Sequence, residues 1–298
     1  MTFKKMTSAR VIKSFISILA LVCICLGICS CDNFTDDSLY SRVSADGVVS
    51  IHFIDVGQAD SVLIMTPEGN ILVDAGTNSS EEDLKNYLLE LEITEIEYFV
   101  LTHPHDDHVG GADMILREFY VENVVMTECD EDISVFSALV SEIEDKDVNV
   151  IDAVSGESFE VGECKSTVLA PNREYGEYDE TNSTSVVLKC EIGEFSVILT
   201  GDAEDDSEQE MIERYGDFLD CDILKLGHHG SKTSSLYKFL EITSPEYAIA
   251  CCGKDNTYGH PAAEVIYRLN AFDIDLLRTD KEGSIVFIYD GEELEYIG

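Results

Sequence analysis

The sequence predicts an α/β protein made of two β-sheets covered by helices. Short strand-like runs alternate with amphipathic stretches from position 48 to the C-terminus. Strands precede helices in both halves of that region, as expected when sheets are flanked by helices. No linker-like composition divides it and no period of about 20–50 residues repeats, so one domain is expected rather than a solenoid.

The elements follow in order. Residues 50–55, 61–66 and 70–74 read as an opening strand meander, with turns at Gly57 and Gly69. Leu84, Leu88 and Leu91 give residues 81–91 helical spacing, and Ser79 or Ser80 would cap that helix. Residues 97–102 form a strand that runs into His103. Residues 112–118 and 134–144 look helical, with a strand over 122–126 between them. Glu191 and Gly193 mark a hairpin joining strands at 185–190 and 195–200. A helix over 204–215, a strand over 222–226 and a helix over 234–240 come next. A strand over 247–251, a helix over 262–270 and strands over 274–277 and 284–289 complete the body.

The chain has 298 residues, 45% of them hydrophobic, with only 5 Pro, which suits a folded core rather than disorder. Its 60 acidic residues against 19 basic ones give a formal charge of -41. The first 30 residues hold only basic charges (Lys4, Lys5, Arg10 and Lys13), so the rest of the chain carries about -45. Such a field repels nucleic acid and anionic lipid, but bound cations can override it locally at a phosphate site.

Residues 1–30 read as a lipoprotein signal peptide: a basic start, then an apolar run over 15–28 too short for a confident membrane span. The run ends in Ile28-Cys29-Ser30-Cys31, which resembles a bacterial lipobox, with lipid attached to the Cys31 thiol. Residues 31–47 would be a polar tether and 48–298 the folded body, held outside the cytoplasm by a lipid anchor. Six of the 10 cysteines (Cys129, Cys164, Cys190, Cys221, Cys251 and Cys252) fall in the body without CxxC spacing, so buried thiols are expected. Cys251 and Cys252 should point to opposite faces of a strand.

Six of the 7 histidines lie in three polar segments that each follow an apolar strand: LTHPHDDHVGG, KLGHHGS and YGHP. Only His52 stands apart. Chain just past a strand is where α/β folds assemble ligand sites. His103 and His105, two residues apart, can face one ion from an extended stretch. Asp107 and His108 follow, where a tight turn aims them at a second. Imidazole with carboxylate suits a borderline cation such as zinc, with manganese as the alternative. Asp74 in ILVDAG, Asp202 in LTGDAE and the tandem His228 and His229 also end strand-like runs. Lys225, Lys232 and Lys238 lie near the last of these and could form a small anion site.

His-x-His-x-Asp-His followed by Gly110 and Gly111 resembles the signature of the metallo-β-lactamase superfamily. FIDVGQADSVLI, ILVDAG, LTHPHDDHVGG, NSTSVVL, ILTGDAE, DILKLGHHGS and NTYGHP follow the order seen in its ComEC-like hydrolase domains, across about 51–287. One departure is Ala59, where that branch usually has Gly. The resemblance implies an αββα sandwich with two mixed sheets and two divalent metal ions. It places His103, His105 and Asp202 on one metal, and Asp107, His108, Asp202 and His229 on the other. Asp74 and Asn182 would support these ligands from behind. The β-lactamase third histidine is missing, and Asn182 and Ser185 stand in that stretch. His228 and His260 would then contact the phosphoryl group or protonate a leaving oxygen, although His260 could instead cap the helix near Pro261.

The implied catalytic set is Asp107, Asp202, His228 and His260, acting through metal-bound hydroxide on a phosphoester, with a diester favoured. The charge favours a small-molecule or envelope phosphodiester. The resemblance favours a nuclease on DNA. An amide or thioester hydrolase and a non-enzymatic binding module are the remaining alternatives.

Overall fold

The structure, a computed structural model, describes residues 39–43, 47–127, 134–174, 176–178 and 180–298. By its contacts the chain divides into Met1–Arg42 and Val43–Gly298. The signal peptide over 1–30, Cys31, most of the expected tether and Cys129 lie outside the described residues. Leu39–Val43 is helical, within the stretch expected to be tether, and Val43 is buried.

In the second unit, β1 (Val49–Phe53), β2 (Val62–Thr66) and β3 (Gly69–Val73) form the expected antiparallel meander. β4 (Glu95–Val100), β5 (Tyr120–Met126) and β6 (Asn149–Asp152) extend it with parallel pairing. The second sheet starts antiparallel with β7 (Ser158–Val161), β8 (Cys164–Ala170), β9 (Val187–Ile192) and β10 (Phe195–Leu199). It continues in parallel through β11 (Ile223–Lys225), β12 (Tyr247–Ala250) and β13 (Asp275–Arg278). β14 (Ile285–Tyr289) and β15 (Leu294–Tyr296) return to the first sheet beside β1. Both sheets are therefore mixed, as expected.

Parallel strands need crossovers, and the helices supply them. α1 (Glu81–Glu90), α2 (Asp106–Val109), α3 (Ala112–Glu118) and α4 (Ser134–Lys146) serve the first sheet. α5 (Asp205–Tyr215), α6 (Tyr237–Thr243) and α7 (Ala263–Ala271) serve the second, and α8 (Thr279–Glu282) leads out of it. Alternation of side chains along the strands builds the layers. Val49, Ile51, Phe53, Ile71, Val73, Val197, Leu199 and Ile223 fill the space between the sheets. Leu72 faces Leu84 and Leu88 of α1 and Ile115 of α3, while Ile198 and Leu224 face Met211, Phe239 and Val265 of α5, α6 and α7. The result is an αββα sandwich.

Several elements differ from the sequence reading. Ser80 occupies the N-cap of α1 without capping it, because its hydroxyl turns back to Thr77, donating to the carbonyl and accepting from the N–H. The helix expected over 234–240 begins at Tyr237, since Ser235 holds φ 57 and cannot be helical. Strands β6, β7, β8 and β15 were not foreseen. The thiols behave as expected: Cys164, Cys190, Cys221, Cys251 and Cys252 are free and buried, with Cys251 in the inter-sheet core and Cys252 in the outer one. No helix among the described residues is long and apolar enough to cross a membrane.

Candidate metal centre

The parallel halves of both sheets end at one edge, and the polar segments lie there. Asp74 follows β3, His103 to His108 follow β4, Asp202 follows β10, His228 and His229 follow β11, and His260 lies on the loop after β12. Tight packing makes glycine necessary at the turns. A side chain on Gly110 would strike the Asp106 carbonyl and the Asn78 nitrogen, and one on Gly111 the Ala75 carbonyl. Gly201, at φ 51, also presses on Thr102 and Ser185, which sets Asp202 at the head of its turn. His52 is remote from this edge: buried, bonded to Ser50 and Tyr87, and depressed by burial to about 3.

The two oxygens of Asp202 look toward different donors. Oδ1 is 3.2 Å from His108 Nε2 and 3.7 Å from His229 Nε2. Oδ2 is 3.9 Å from His103 Nε2 and 3.7 Å from His228 Nε2. Around these, His105 Nδ1 lies 2.9 Å from His103 Nε2, and Asp107 Oδ2 lies 3.3 Å from His229 Nε2. Donor atoms of His103, His108 and Asp202 fall within 4.8 Å of one another, as do those of Asp107, His108 and His229.

This donor set fits a cation. His108 Nε2 and Asp202 Oδ1 are buried, face each other, and have no hydrogen-bond partner. Leaving such groups unpaired costs several kcal/mol, roughly 1–3 each even when neutral. Burial opposes charge on His108, yet the Asp202, Asp74 and Asp60 carboxylates raise its pKa well above the usual value. Burial would lift Asp202, but His108, His229 and His103 hold it well below the ordinary carboxylate range. The pocket calls for positive charge between these groups.

The ring orientations are set from behind. His108 Nδ1 lies 2.7 Å from Asp74 Oδ2, and Thr102 donates its N–H and hydroxyl to the same carboxylate. His229 Nδ1 donates to the Cys251 carbonyl at 2.9 Å, with Asp60 Oδ1 beside it at 3.1 Å. Carboxylate and carbonyl partners of this kind fix the tautomer of a ligand imidazole. Both His228 (φ 47) and His229 (φ 55) hold left-handed backbone, which is strained for non-glycine residues. That strain turns two consecutive rings toward Asp202.

His228 Nδ1 meets Glu204 Oε1 at 2.8 Å, and Asn182 Nδ2 approaches it at 3.2 Å. Ser185 accepts the Asp202 N–H through its hydroxyl, so the stretch between the cluster and Asp202 supports the site. The helix-capping alternative for His260 is excluded: Ala262 occupies the N-cap of α7. The His260 ring instead sits 5.5 Å from that of His228 and 6.3 Å from that of His229, and burial plus these neighbours lower it to about 4.

Lys225 corrects another expectation. It is fully buried, ion-paired with Asp60, and donates to the Gly201 and Leu226 carbonyls, so it cannot bind an outside anion. Lys238 pairs with Glu241 on the surface. Asp60 and Glu204 went unassigned in the sequence, although both stand in recognised blocks; a carboxylate directly before a buried strand was the available signal for Asp60. Ala59 has no positive φ and packs in the outer core, so the change from Gly leaves the turn intact.

Comparison with known proteins agrees with this geometry. Residues 54–254 match the metallo-beta-lactamase superfamily. The chain is 30% identical over 269 residues to ComE operon protein 3 of Bacillus subtilis (strain 168), covering 84% of this chain and 34% of that protein. It is 31% identical over 245 residues to Competence protein ComA of Neisseria gonorrhoeae, covering 78% and 31% respectively. The chain thus spans about a third of the length of these relatives. Among solved structures, the metallo-beta-lactamase fold protein YhfI from Bacillus subtilis superposes with a TM-score of 0.54 at 13% identity, over 82% of this chain and 100% of that one. CmlA, a diiron beta-hydroxylase from Streptomyces venezuelae, gives 0.52 at 15% identity, over 79% and 52%. At these identities the structural likeness is one of fold alone. Sequence match and architecture together establish that the chain belongs to the metallo-β-lactamase superfamily, whose fold binds divalent metal ions, often two, with ComEC-like proteins among its relatives.

Proposed function

We propose that the chain is a two-metal phosphodiesterase that works outside the cytoplasm, anchored through lipid on Cys31. One observation carries the chemistry: the two oxygens of the buried Asp202 face different histidines, Oδ1 toward His108 and His229 and Oδ2 toward His103 and His228. His103, His105 and Asp202 would hold one cation, and Asp107, His108, Asp202 and His229 the other, zinc being the preferred ion and manganese the alternative. When bound, such a pair lowers the pKa of water and neutralises charge on attacking and leaving oxygens. The chain's own part is positional. Asp202 keeps the two donor groups in register, Asp74 and the Cys251 carbonyl aim His108 and His229, and His228 and His260 face the phosphoryl group.

An amide or thioester substrate is disfavoured because Asn182 and Ser185 bind other site residues and do not replace the missing histidine. DNA is the second reading, favoured by competence proteins among the relatives.

Metal-loaded protein should hold two ions per chain and turn over bis(p-nitrophenyl) phosphate but not nitrocefin, and chelation should abolish the activity. Asp202→Ala should lose both metal and activity, whereas His260→Ala should keep the metals and lose about 10²–10⁴-fold in rate. Absence of bound transition metal after zinc and manganese loading would reject the reading. For the anchor, Cys31→Ser should move the protein out of the membrane fraction; unchanged fractionation would reject that part alone.

A further inference from the structure

Glu204 stands two residues past Asp202, at the N-cap of α5, yet it makes no capping bond to that helix. Its carboxylate turns instead to His228, accepting the Nδ1 proton at 2.8 Å. Thr233 donates its hydroxyl to the same Oε1 at 2.8 Å, and Asn182 Nδ2 lies 3.2 Å from His228 Nδ1. Three elements therefore converge on one oxygen-rich clamp: the turn after β10, the loop before β9 and the loop after β11. With Nδ1–H committed to Glu204, only Nε2 of His228 is free for chemistry. That atom lies 3.7 Å from Asp202 Oδ2, and its side chain remains 29% exposed, within reach of a substrate. The adjacent His229 is held by a carbonyl and buried among the metal donors. Two consecutive histidines thus share one tautomer with Nε2 free, and burial separates them: His229 is sealed in the cluster while His228 is open to solvent.

We propose that Glu204 is a positioning residue: it fixes the ring and tautomer of His228 so that Nε2 meets the phosphoryl group of the substrate. For its substrate this rests on the phosphodiesterase reading; for its geometry it does not. A carboxylate that orients an active imidazole commonly contributes about 10–100-fold. A residue acting only through His228 should matter only while His228 is present.

The test is a double-mutant cycle in the full metal-loaded chain with bis(p-nitrophenyl) phosphate. Glu204→Ala should lower kcat/KM about 10–100-fold with both metal ions retained, and Glu204→Gln should recover much of the loss, because its amide oxygen still accepts the Nδ1 proton. In a His228→Ala background, Glu204→Ala should cost less than about twofold. Nitrogen NMR on histidine-labelled protein supplies a readout independent of turnover: His228 should carry its proton on Nδ1, and Glu204→Ala should abolish that preference. Equal losses in both backgrounds, loss of a metal ion in Glu204→Ala, or an unchanged tautomer would each overturn the proposal. If the unmodified chain fails to cleave the diester, the phosphodiesterase reading falls, while the NMR result still decides the role of Glu204.

Discussion

Asp74 Oδ2 lies 2.7 Å from His108 Nδ1, and both side chains are sealed from solvent. The carboxylate also accepts the N–H and hydroxyl of Thr102, the residue before the histidine cluster. Asp74 therefore fixes the backbone that enters the cluster and the ring at its end, leaving His108 Nε2 to face Asp202. Replacing Asp74 with Asn keeps the shape but removes the charge that favours Nδ1–H. Metal affinity should fall about 10–100-fold. Competition with a chromophoric chelator measures this, and an unchanged affinity would mean that His108 needs no support from behind.

Much of the candidate site was legible because its residues sit where local pattern is strong. His103 to His108, Asp202, His228 and His229 each follow an apolar run, and a strand end can be read within a few residues. Lys225 and Asp60 were not legible for the opposite reason. Their ion pair joins distant parts of the chain, and a lysine closing a strand ordinarily points to water. Glu204 looked like part of a helix start until its partner across the turn was known. In the fold, β6 and β7 escaped because they are short and largely exposed, so burial imposes little alternation on them. Helix α6 begins at Tyr237, later than the sequence pattern places it. In the structure the Ser235 and Leu236 N–H groups bind the buried Glu208, which delays the helix.

The Asp60–Lys225 pair places an ammonium beside the candidate metal-binding cluster. Burial alone would lower the pKa of Lys225, but Asp60 and then Asp202 raise it, so the ammonium stays charged. Lys225→Met would leave Asp60 buried with only the His229 and His108 rings near it. Breaking a buried pair in this way costs about 3–5 kcal/mol. Urea denaturation should show that loss, and adding Asp60→Asn should recover part of it. A double variant no more stable than Lys225→Met would mean that Asp60 is not held by this lysine.

Glu208 makes stability depend on pH. Burial raises its carboxyl from 4.5 to about 8, although the Leu236 and Ser235 N–H groups and Arg268 favour the charged form. A group whose folded pKa lies above its unfolded one contributes stability fully present below the unfolded value and lost as pH rises through the folded value. The Glu208 contribution should therefore decline across the range from 4.5 to about 8. Glu208→Gln cannot ionise, so the stability difference between it and the unmodified protein should change steadily over that range. A difference flat with pH would show that Glu208 is already ionised when folded.

Salt separates the two substrate readings. A small phosphodiester carries one or two charges and would meet the candidate metal centre at short range, so kcat/KM should depend only weakly on ionic strength. A long DNA strand must lie across the carboxylates of a chain whose formal charge is -41. That repulsion is felt most at low salt, and it weakens as the Debye length falls from about 30 Å at ~0.01 M to about 8 Å at ~0.15 M. DNA cleavage should therefore be slow at low salt and improve as salt rises. A protein that bound DNA through a basic groove would behave in the opposite way, losing affinity as salt competes with counterion release. Measuring kcat/KM for both substrates across this range, with metal saturating, decides the matter. Fast DNA cleavage that weakens with salt would establish the nuclease reading, because a local cationic track would then have to outweigh the field of the whole surface.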